Sequence, residues 1–385
     1  MRPPVDYVSM KPVTLFLAIA ALYIGGSIAH AAILQKTIYG DGIYYYSWLR
    51  SAVVDRDMSF ANEFARFGIT GTGGVPGLIG NKYSIGPAIL WLPSFVALRA
   101  VFGGDGYGFP YQLGIGLTGV LYALTGLVLL YRLMSERWSQ PIALAVVAAT
   151  AGATNLLFYG SVDTVNSHAL SFFAACVFLS FLLRRSPNWW AVGAALGLLA
   201  LIRPQDALYG LLIVPFMPRK NVWKAVAGAL LAFTPQLFVW HALYGTFFTS
   251  PYFLSGEGFA FTSPHVFGVL FTPANGLFLW TPVLLFALVG YFSSHAKKNP
   301  FLLYGFGVIT LEIILVASWS TWWQGASYGG RMFVSVLPLF AFGLADAFLR
   351  ATKRMKHAGV FLARFVAFFS ALNVVSVFFY LQFVQ

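Results

Sequence analysis

The sequence is poor in charged residues. Only 9% of its 385 residues are Asp, Glu, Lys or Arg, whereas a soluble domain carries about 25%. Hydrophobic residues make up 59% of the chain, and its mean hydropathy is +0.75. This composition excludes a cytosolic enzyme and a disordered tail protein, and it indicates a polytopic membrane protein.

Cysteine is nearly absent as well. The single cysteine, Cys176, lies in the apolar run SFFAACVFLSFLL, so it forms no intramolecular disulfide and has no cysteine partner for a metal site. This excludes a disulfide scaffold. Internal repeats, charge blocks and low-complexity linkers are also missing, and we therefore treat residues 1–385 as a single membrane domain, with a first span that we expect to be retained.

The chain has an excess of positive charge, with 24 Lys and Arg against 12 Asp and Glu. No basic stripe with interleaved aromatic residues occurs, which argues against a nucleic-acid partner. Instead the basic residues fall in small groups between apolar runs, as in cytoplasmic loops. Such groups include 132–137, 184–185, 219–224, 297–298 and 350–364. We expect an integral protein of the bacterial inner (plasma) membrane, with the longer polar segments on the extracytoplasmic side.

Apolar runs predict an all-α, polytopic transmembrane helical bundle with about 11–12 membrane segments. The runs lie near 13–34, 84–103, 112–131, 140–158, 167–183, 189–202, 205–217, 222–243, 278–292, 301–318, 333–349 and 358–382. Proline 204 predicts that two short helices meet at Arg203–Pro204. If the loop at 132–137 is cytoplasmic, either one run between residues 34 and 131 crosses only partly, or a third crossing lies within 41–60.

The longest polar stretch, residues 35–83, forms the predicted first external loop. It contains Asp41 followed by Tyr45, Trp48 and Ala52 at helical spacing, which predicts an interfacial helix. Asp41 is either a helix N-cap or a carboxylate that accepts a proton from a substrate hydroxyl. Asp55 would lie about 21 Å further along a continuous helix. That spacing argues against a paired-carboxylate glycosidase, whose carboxyl groups are about 5–9.5 Å apart.

Five short motifs follow one another on the predicted outer side. They are DGIYYY at 41–46, NKYSIGP at 81–87, VDTVNSH at 162–168, RPQ at 203–205 and WWQGASYGGRM at 322–332. In this order, and with short proline-broken spans, the chain resembles the GT-C integral membrane glycosyltransferases, in particular bacterial relatives of protein O-mannosyltransferases and of the lipid A aminoarabinose transferase. It differs at position 42, where protein mannosyltransferases tend to have the second residue of an Asp-Glu pair and this chain has Gly42.

The resemblance implies transfer of a sugar from a polyprenyl-phosphate donor to an acceptor on the extracytoplasmic side, with inversion. Asp41 would match the catalytic carboxylate and act as general base. The donor phosphate would be bound by Arg203, Arg331 and Lys82. Arginine offers phosphate a planar fork of two donors, which favours the two arginines over the lysine. Arg203 lies between two short apolar helices, where an unpaired charge would be costly, and this favours a functional role for it. The side chain of Arg331 could instead simply extend to the membrane interface.

Other polar and aromatic residues complete the predicted site. The supporting polar residues are Asp163, Asn166, His168 and Asp55, and the candidates for stacking on a sugar are Trp322, Trp323 and Tyr45. The tryptophans fit an aromatic interface belt equally well, and the histidine fits a hydrogen-bonded helix start. No residue cluster has metal-ligand spacing, so the residues allow a divalent cation (magnesium or manganese) shared with phosphate but require none.

Two other functions are compatible with the sequence. A transporter or flippase of a lipid-linked sugar would usually show discontinuous helices in both halves, but only one broken hairpin is present, at 203–204. A surface-polysaccharide polymerase or ligase would share the donor and differ in its acceptor. For the glycosyltransferase, the expected partners are a lipid-linked sugar donor, membrane lipids and a glycan, lipid or protein acceptor.

Overall fold

The computed structural model describes residues 11–292 and 299–383, and within them helix is the predominant secondary structure. The basic residues Lys297 and Lys298 lie outside the described residues. The α-helices are α1 (Pro12–Leu34), α2 (Asp41–Arg50), α3 (Ala61–Phe67), α4 (Gly86–Phe102), α5 (Phe109–Ser135), α6 (Gln140–Gly152), α7 (Leu156–Ser161), α8 (Ser167–Leu182), α9 (Trp189–Ile202), α10 (Val222–Tyr244), α11 (Pro251–Leu254), α12 (Val266–Phe271), α13 (Leu277–Trp280), α14 (Val283–Tyr291), α15 (Pro300–Ser318), α16 (Leu337–Thr352) and α17 (Ala358–Phe383).

Shorter elements join these helices. A π-helical turn, Ser51–Asp55, continues α2, and 3-10 segments cover Pro204–Ile213, Arg219–Asn221 and Arg331–Val336. Strands β1 (Thr72–Gly73) and β2 (Ile79–Gly80) form a two-stranded antiparallel hairpin in the first external loop, with Thr72 opposite Gly80.

The prediction of an all-α polytopic membrane bundle is confirmed. Among the described residues, six helical segments are long and apolar enough to cross a membrane, and four shorter apolar helices accompany them. The six are Pro12–Leu34, Phe109–Ser135, Arg219–Tyr244, Pro300–Ser318, Arg331–Thr352 and Ala358–Phe383. The short apolar segments at Pro204–Ile213 and Val283–Tyr291 account for the remaining predicted runs.

The predicted break at Arg203–Pro204 is present. Helix α9 ends at Ile202, and Arg203 adopts an extended conformation (φ −145°, ψ 114°), as expected for a residue before proline. The chain then turns back as a ten-residue 3-10 segment instead of the expected α-helix. The arginine side chain is therefore held at the tip of a hairpin whose two arms are both apolar.

Helix α4 resolves the count of crossings in the first third of the chain. Just before it begins, Tyr83 donates a hydrogen bond to Asp41, and just after it ends, Gly106 accepts one from Tyr46. Asp41 and Tyr46 both lie on the ten-residue helix α2. Since its two ends lie against one short helix, α4 runs beside α2 and does not cross to the other side. The segment within 41–60 contains no long helix, so α5 is the crossing that follows α1.

The packing also defines two ends of the bundle. One end gathers the first external loop, the start of α8 and the end of α9. At the other end, Arg137 donates a hydrogen bond to the carbonyl of Leu183, and the Trp138 ring packs against Phe342. Basic residues concentrate at this second end, which agrees with the sequence-based orientation.

Glycines allow several helices to pack closely. A Cβ atom at Gly193 on α9 would lie 2.0 Å from the carbonyl oxygen of Ala225 on α10, and one at Gly290 on α14 would lie 1.8 Å from the carbonyl oxygen of Gly343 on α16. Small residues at such crossings let helix backbones approach in a membrane, where apolar side chains alone give little preference for one partner.

This packing predicts that Gly193→Ala destabilises the protein. The added methyl group forces α9 and α10 apart, and overpacking of this kind typically costs about 1–3 kcal/mol. Gly25→Ala on α1 is the matched control because a Cβ atom there meets nothing within 4 Å. Thermal unfolding in one detergent should give a lower Tm for the first variant only. Equal melting temperatures for Gly193→Ala and the parent protein would contradict the close packing.

Candidate functional site

Asp41 is the first residue of α2, and both of its carboxylate oxygens have partners. Oδ1 accepts a hydrogen bond of 2.8 Å from the Tyr83 hydroxyl, and Oδ2 lies 2.9 Å from Nη1 of Arg331. The side chains of Asp41 and Arg331 are 23% and 19% exposed. Gly40, with φ +52°, holds the N-cap position of the helix. The carboxylate of Asp41 thus contacts side chains from other parts of the chain.

Helix α2 packs tightly against the loop at 162–166. A Cβ atom at Gly42 would lie 2.3 Å from the carbonyl oxygen of Val165, and the Tyr45 hydroxyl donates a 3.0 Å hydrogen bond to Ser167. A glutamate at position 42 would collide with this loop. The departure from the Asp-Glu pair therefore has a steric reason, and glycine brings Asp41 close to the second polar segment.

That second segment contributes Asp163, Asn166 and His168. The amide of Asn166 donates a 3.2 Å hydrogen bond to Asp163, and its oxygen caps α8 by accepting from the backbone N–H of Ser167. Burial raises the pKa of Asp163 to about 7, and the charge of Asp41 also raises it, while Arg331 and Asn166 lower it. Asp163 thus belongs to the same electrostatic environment as the Asp41–Arg331 pair.

His168 and Arg203 are directly paired. Nη1 of Arg203 lies 2.5 Å from Nδ1 of His168, and both side chains are buried. A guanidinium group only donates hydrogen bonds, so Nδ1 must accept, and the proton of the neutral ring resides on Nε2. We infer this tautomer from the hydrogen-bond partners. Nη2 of Arg203 reaches the sulfur of Met332 at 2.6 Å, directly beside Arg331.

The loop before Arg331 is folded back into the protein by two asparagines. The side-chain amide of Asn155 donates to the carbonyls of Gly329 (2.6 Å) and Gly330 (3.0 Å), two glycines with positive φ. Asn275 binds the carbonyl of Trp323 in the same loop. Non-helical backbone inside a membrane protein needs such internal partners. These contacts fix the position from which Arg331 reaches Asp41.

Several buried hydrogen-bond donors around this cluster have no partner within the described parts of the chain. They are Nε of Arg331, Nε2 of His168 and Nε2 of Gln324. Met332, which follows Arg331 in the sequence, connects these side chains. Its backbone N–H donates to Gln324, and its sulfur contacts Nη2 of Arg203, whose Nη1 is paired with His168. An unsatisfied buried donor is costly. Each of these three groups has a hydrogen bond left to donate.

Lys82 lies next to the Asp41 cluster but is engaged elsewhere. Its Nζ is 2.6 Å from Oε1 of Glu257, whose other oxygen accepts from the Trp319 indole. The ammonium group also lies 5.6 Å from the centre of the Tyr83 ring and 5.5 Å from that of Tyr252. Lys82 is therefore separated from Asp41 by the Tyr83 side chain.

Asp55 lies in a different cluster. It pairs with Arg50 and accepts a 2.7 Å hydrogen bond from Asn62, while Arg50 also bonds Glu63 at 2.8 Å. The π-helical turn at Ser51–Asp55 directs this carboxylate back along α2. These contacts hold α2 against α3. They give Asp55 a structural role, and they do not bring it to Asp41.

The aromatic candidates divide in the same way. Tyr45 is buried beside Tyr83, with ring centres 5.1 Å apart. Trp322 stacks on His265 at 4.6 Å, and the Trp323 ring is 47% exposed. The tyrosine is thus part of the Asp41 cluster, whereas the contact of Trp322 is with the segment that precedes α12.

The residues offer little for a preformed metal site. Within residues 11–292 and 299–383, no three His, Cys, Asp or Glu side chains are placed to hold one ion. Asp41 already faces a guanidinium group, so a divalent cation would need phosphate and water for most of its ligands. A divalent cation shared with a phosphate stays a prediction.

Sequence reasoning missed three residues that build the site. Tyr83 and Gln324 lie inside motifs that were recognised, but their partners, Asp41 and the Met332 backbone, are distant in sequence. Asn155 interrupts the apolar stretch 140–158, where an uncharged amide needs a buried partner. For Asn155, the signal available in the sequence was therefore a polar side chain within an apolar run.

The pKa of Asp163 leads to a pH prediction. Since the pKa is raised, the carboxyl is neutral below about pH 7 and ionised above it. Infrared titration should show a protonated-carboxyl band that decreases as the pH rises through about 7, and Asp163→Asn should remove part of that decrease. Burial also raises the pKa of Glu63 to about 7, so Glu63→Gln is the control that removes a separate part. An unchanged band in Asp163→Asn would show that this carboxyl ionises at its usual pH.

Comparison with known proteins gave structural matches but no sequence family. No protein-family model matches the chain, and no curated protein matches it. The fold is similar to the crystal structure of ArnT from Cupriavidus metallidurans in the apo state, with 15% sequence identity and a TM-score of 0.48. The likeness covers 89% of this chain and 60% of ArnT, so the chain spans less than two thirds of that protein.

Proposed function

We propose that this membrane protein is a glycosyltransferase that uses a polyprenyl-phosphate sugar and acts on the extracytoplasmic side. The observation that carries the proposal is the buried cluster in which Asp41 is paired with Arg331 beside unpartnered donors. A carboxylate next to an anion site is what in-line sugar transfer from a lipid phosphate needs. The GT-C motifs of the sequence lie on the same segments.

The phosphate would bind between the two arginines. Arg331 uses Nη1 for Asp41, which leaves Nε, on the opposite edge of the guanidinium, for an anion. Arg203 and the Nε2–H of His168 would add donors from the α8–α9 side. Charge-assisted hydrogen bonds of this kind are short and strong, and a planar fork suits a phosphate. Lys82, paired with Glu257, would contribute only at the edge of the site.

The transfer step uses the carboxylate of Asp41 and the guanidinium groups of Arg203 and Arg331. The acceptor hydroxyl oxygen attacks the anomeric carbon of the sugar while Asp41 takes the hydroxyl proton. The bond between that carbon and the phosphate oxygen breaks, and the leaving polyprenyl phosphate keeps the electron pair, stabilised by Arg203 and Arg331. Attack opposite the leaving group inverts the anomeric centre.

The ion pair couples donor binding to the base. While the site holds no anion, Arg331 neutralises Asp41. A phosphate on the guanidinium competes for that charge and weakens its hold on the carboxylate, which becomes free to accept a proton. Asp41 would thus become an effective base only when the donor is present, which disfavours proton uptake without transfer.

The alternatives differ in what they do to the donor. A transporter or flippase moves a lipid-linked sugar without breaking the bond between the sugar and the phosphate. Neither the transporter nor the flippase needs a carboxylate paired to the anion site. A surface-polysaccharide polymerase or ligase performs the same bond exchange on a glycan acceptor. The sugar, the acceptor and any divalent cation are left open by this cluster.

Asp41→Asn tests the assignment. A general base typically contributes a factor of about 10²–10⁴, so the variant should lose turnover by that factor while still binding polyprenyl phosphate, because Arg331 is released from its partner. The assay measures polyprenyl phosphate released from a panel of polyprenyl-phosphate sugars, with a cell-envelope fraction as acceptor source. Asp57→Asn is the control, since Asp57 is exposed and bonds Ser51 outside the cluster.

Parental turnover in Asp41→Asn would remove Asp41 from the reaction and leave it as a structural partner of Arg331. Transport of the panel lipids without any release of polyprenyl phosphate would instead favour the flippase.

A further inference from the structure

A cavity lies at the turn between α16 and α17, where the chain reverses at the basic end of the bundle. It has a volume of about 570 Å³, and its lining includes Lys356, His357, Phe361, Arg364, Phe365 and Phe368. Helix α16 begins six residues after Arg331 and runs for 16 residues, about 24 Å, before the turn. The cavity is therefore far from the Asp41 cluster and is not an extension of it.

Within residues 11–292 and 299–383, the charged part of this cavity has no carboxylate counter-ion. No Asp or Glu follows Asp346 in the sequence, and Asp346 itself pairs with Arg350. Among the residues that the structure describes, Lys356 and Arg364 form no ion pair with a carboxylate, and the nearby Lys353 and Arg354 add to the positive charge. Basic groups at a membrane surface attract anionic lipid headgroups.

The apolar part continues along α17. Phe361, Phe365 and Phe368 are spaced by four and three residues, so they follow one face of the helix. Phe368 is 65% exposed, and only 17% of the span of α17 is buried. A headgroup held at Lys356 and Arg364 would place its acyl chains along these rings.

We propose that this cavity binds an anionic glycerophospholipid, with its phosphodiester at Lys356 and Arg364 and its chains along the phenylalanine face. Free phosphate would leave that face unused. A second copy of this chain, with a net charge of +12, would bring more positive charge to a basic surface. A lipid supplies both the anion and the apolar chains, and this site is independent of the proposed transfer reaction.

Lipid titration of the purified full-length protein in a non-ionic detergent tests this site. Native mass spectrometry should show that phosphatidylglycerol binds more tightly than phosphatidylcholine with the same chains. The double variant Lys356→Gln, Arg364→Gln should bind phosphatidylglycerol on the order of 30-fold more weakly, about fivefold for each lost charge. The charge-conserving exchange Lys356→Arg, Arg364→Lys should retain most of the binding and shows that the turn still folds.

The matched control is Arg184→Gln, Arg185→Gln, which removes two basic residues of the same bundle end that do not line the cavity. It should bind phosphatidylglycerol as the parent does. Equal losses in the two double variants would reduce the effect to general surface charge and overturn the site. Equal affinity for the two lipids, or displacement of phosphatidylglycerol by an equal concentration of inorganic phosphate, would overturn it as well.

Discussion

The ion pair between Asp41 and Arg331 holds together the end of the bundle where the candidate site lies. It joins the first external loop to the segment that leads into α16, and both side chains are less than one quarter exposed. The Tyr83 hydroxyl on the other oxygen of Asp41 adds the loop before α4 to the same point. Three distant parts of the chain thus depend on one carboxylate.

The membrane gives this pairing its importance, because polar groups away from water need partners inside the protein. The loop at 319–331 meets that need through Asn155 and Asn275. The donors left over at Arg331, His168 and Gln324 are exceptions to the rule. In the proposed function, the donor phosphate would supply the missing acceptor for these groups, and its contacts with them would stabilise the leaving group.

Much of this architecture could be predicted from the sequence, since apolar run length and basic loops follow directly from the bilayer. The break at Arg203–Pro204 was also predictable, because proline acts locally. The partial crossing of α4 was not, since its apolar run looks like any other and only its contacts with α2 show its course. Asp55 was included among the supporting polar residues, but its partners Arg50 and Asn62 lie in a separate cluster that the sequence does not indicate. The pairing of Lys82 with Glu257 joins segments far apart in sequence, and no local pattern encodes it.

The central claim is that the cluster around Arg331 and Arg203 is a binding site for a lipid phosphate, and direct binding of polyprenyl phosphate tests it. The account predicts that Arg331→Gln and Arg203→Gln each raise the Kd at least about 30-fold, which corresponds to about 2 kcal/mol. Arg203→Lys should recover only part of the affinity because the fork geometry is lost. Lys36→Gln, at an exposed position before α2, should leave the Kd unchanged. Parental affinity in both arginine-to-glutamine variants would contradict the account.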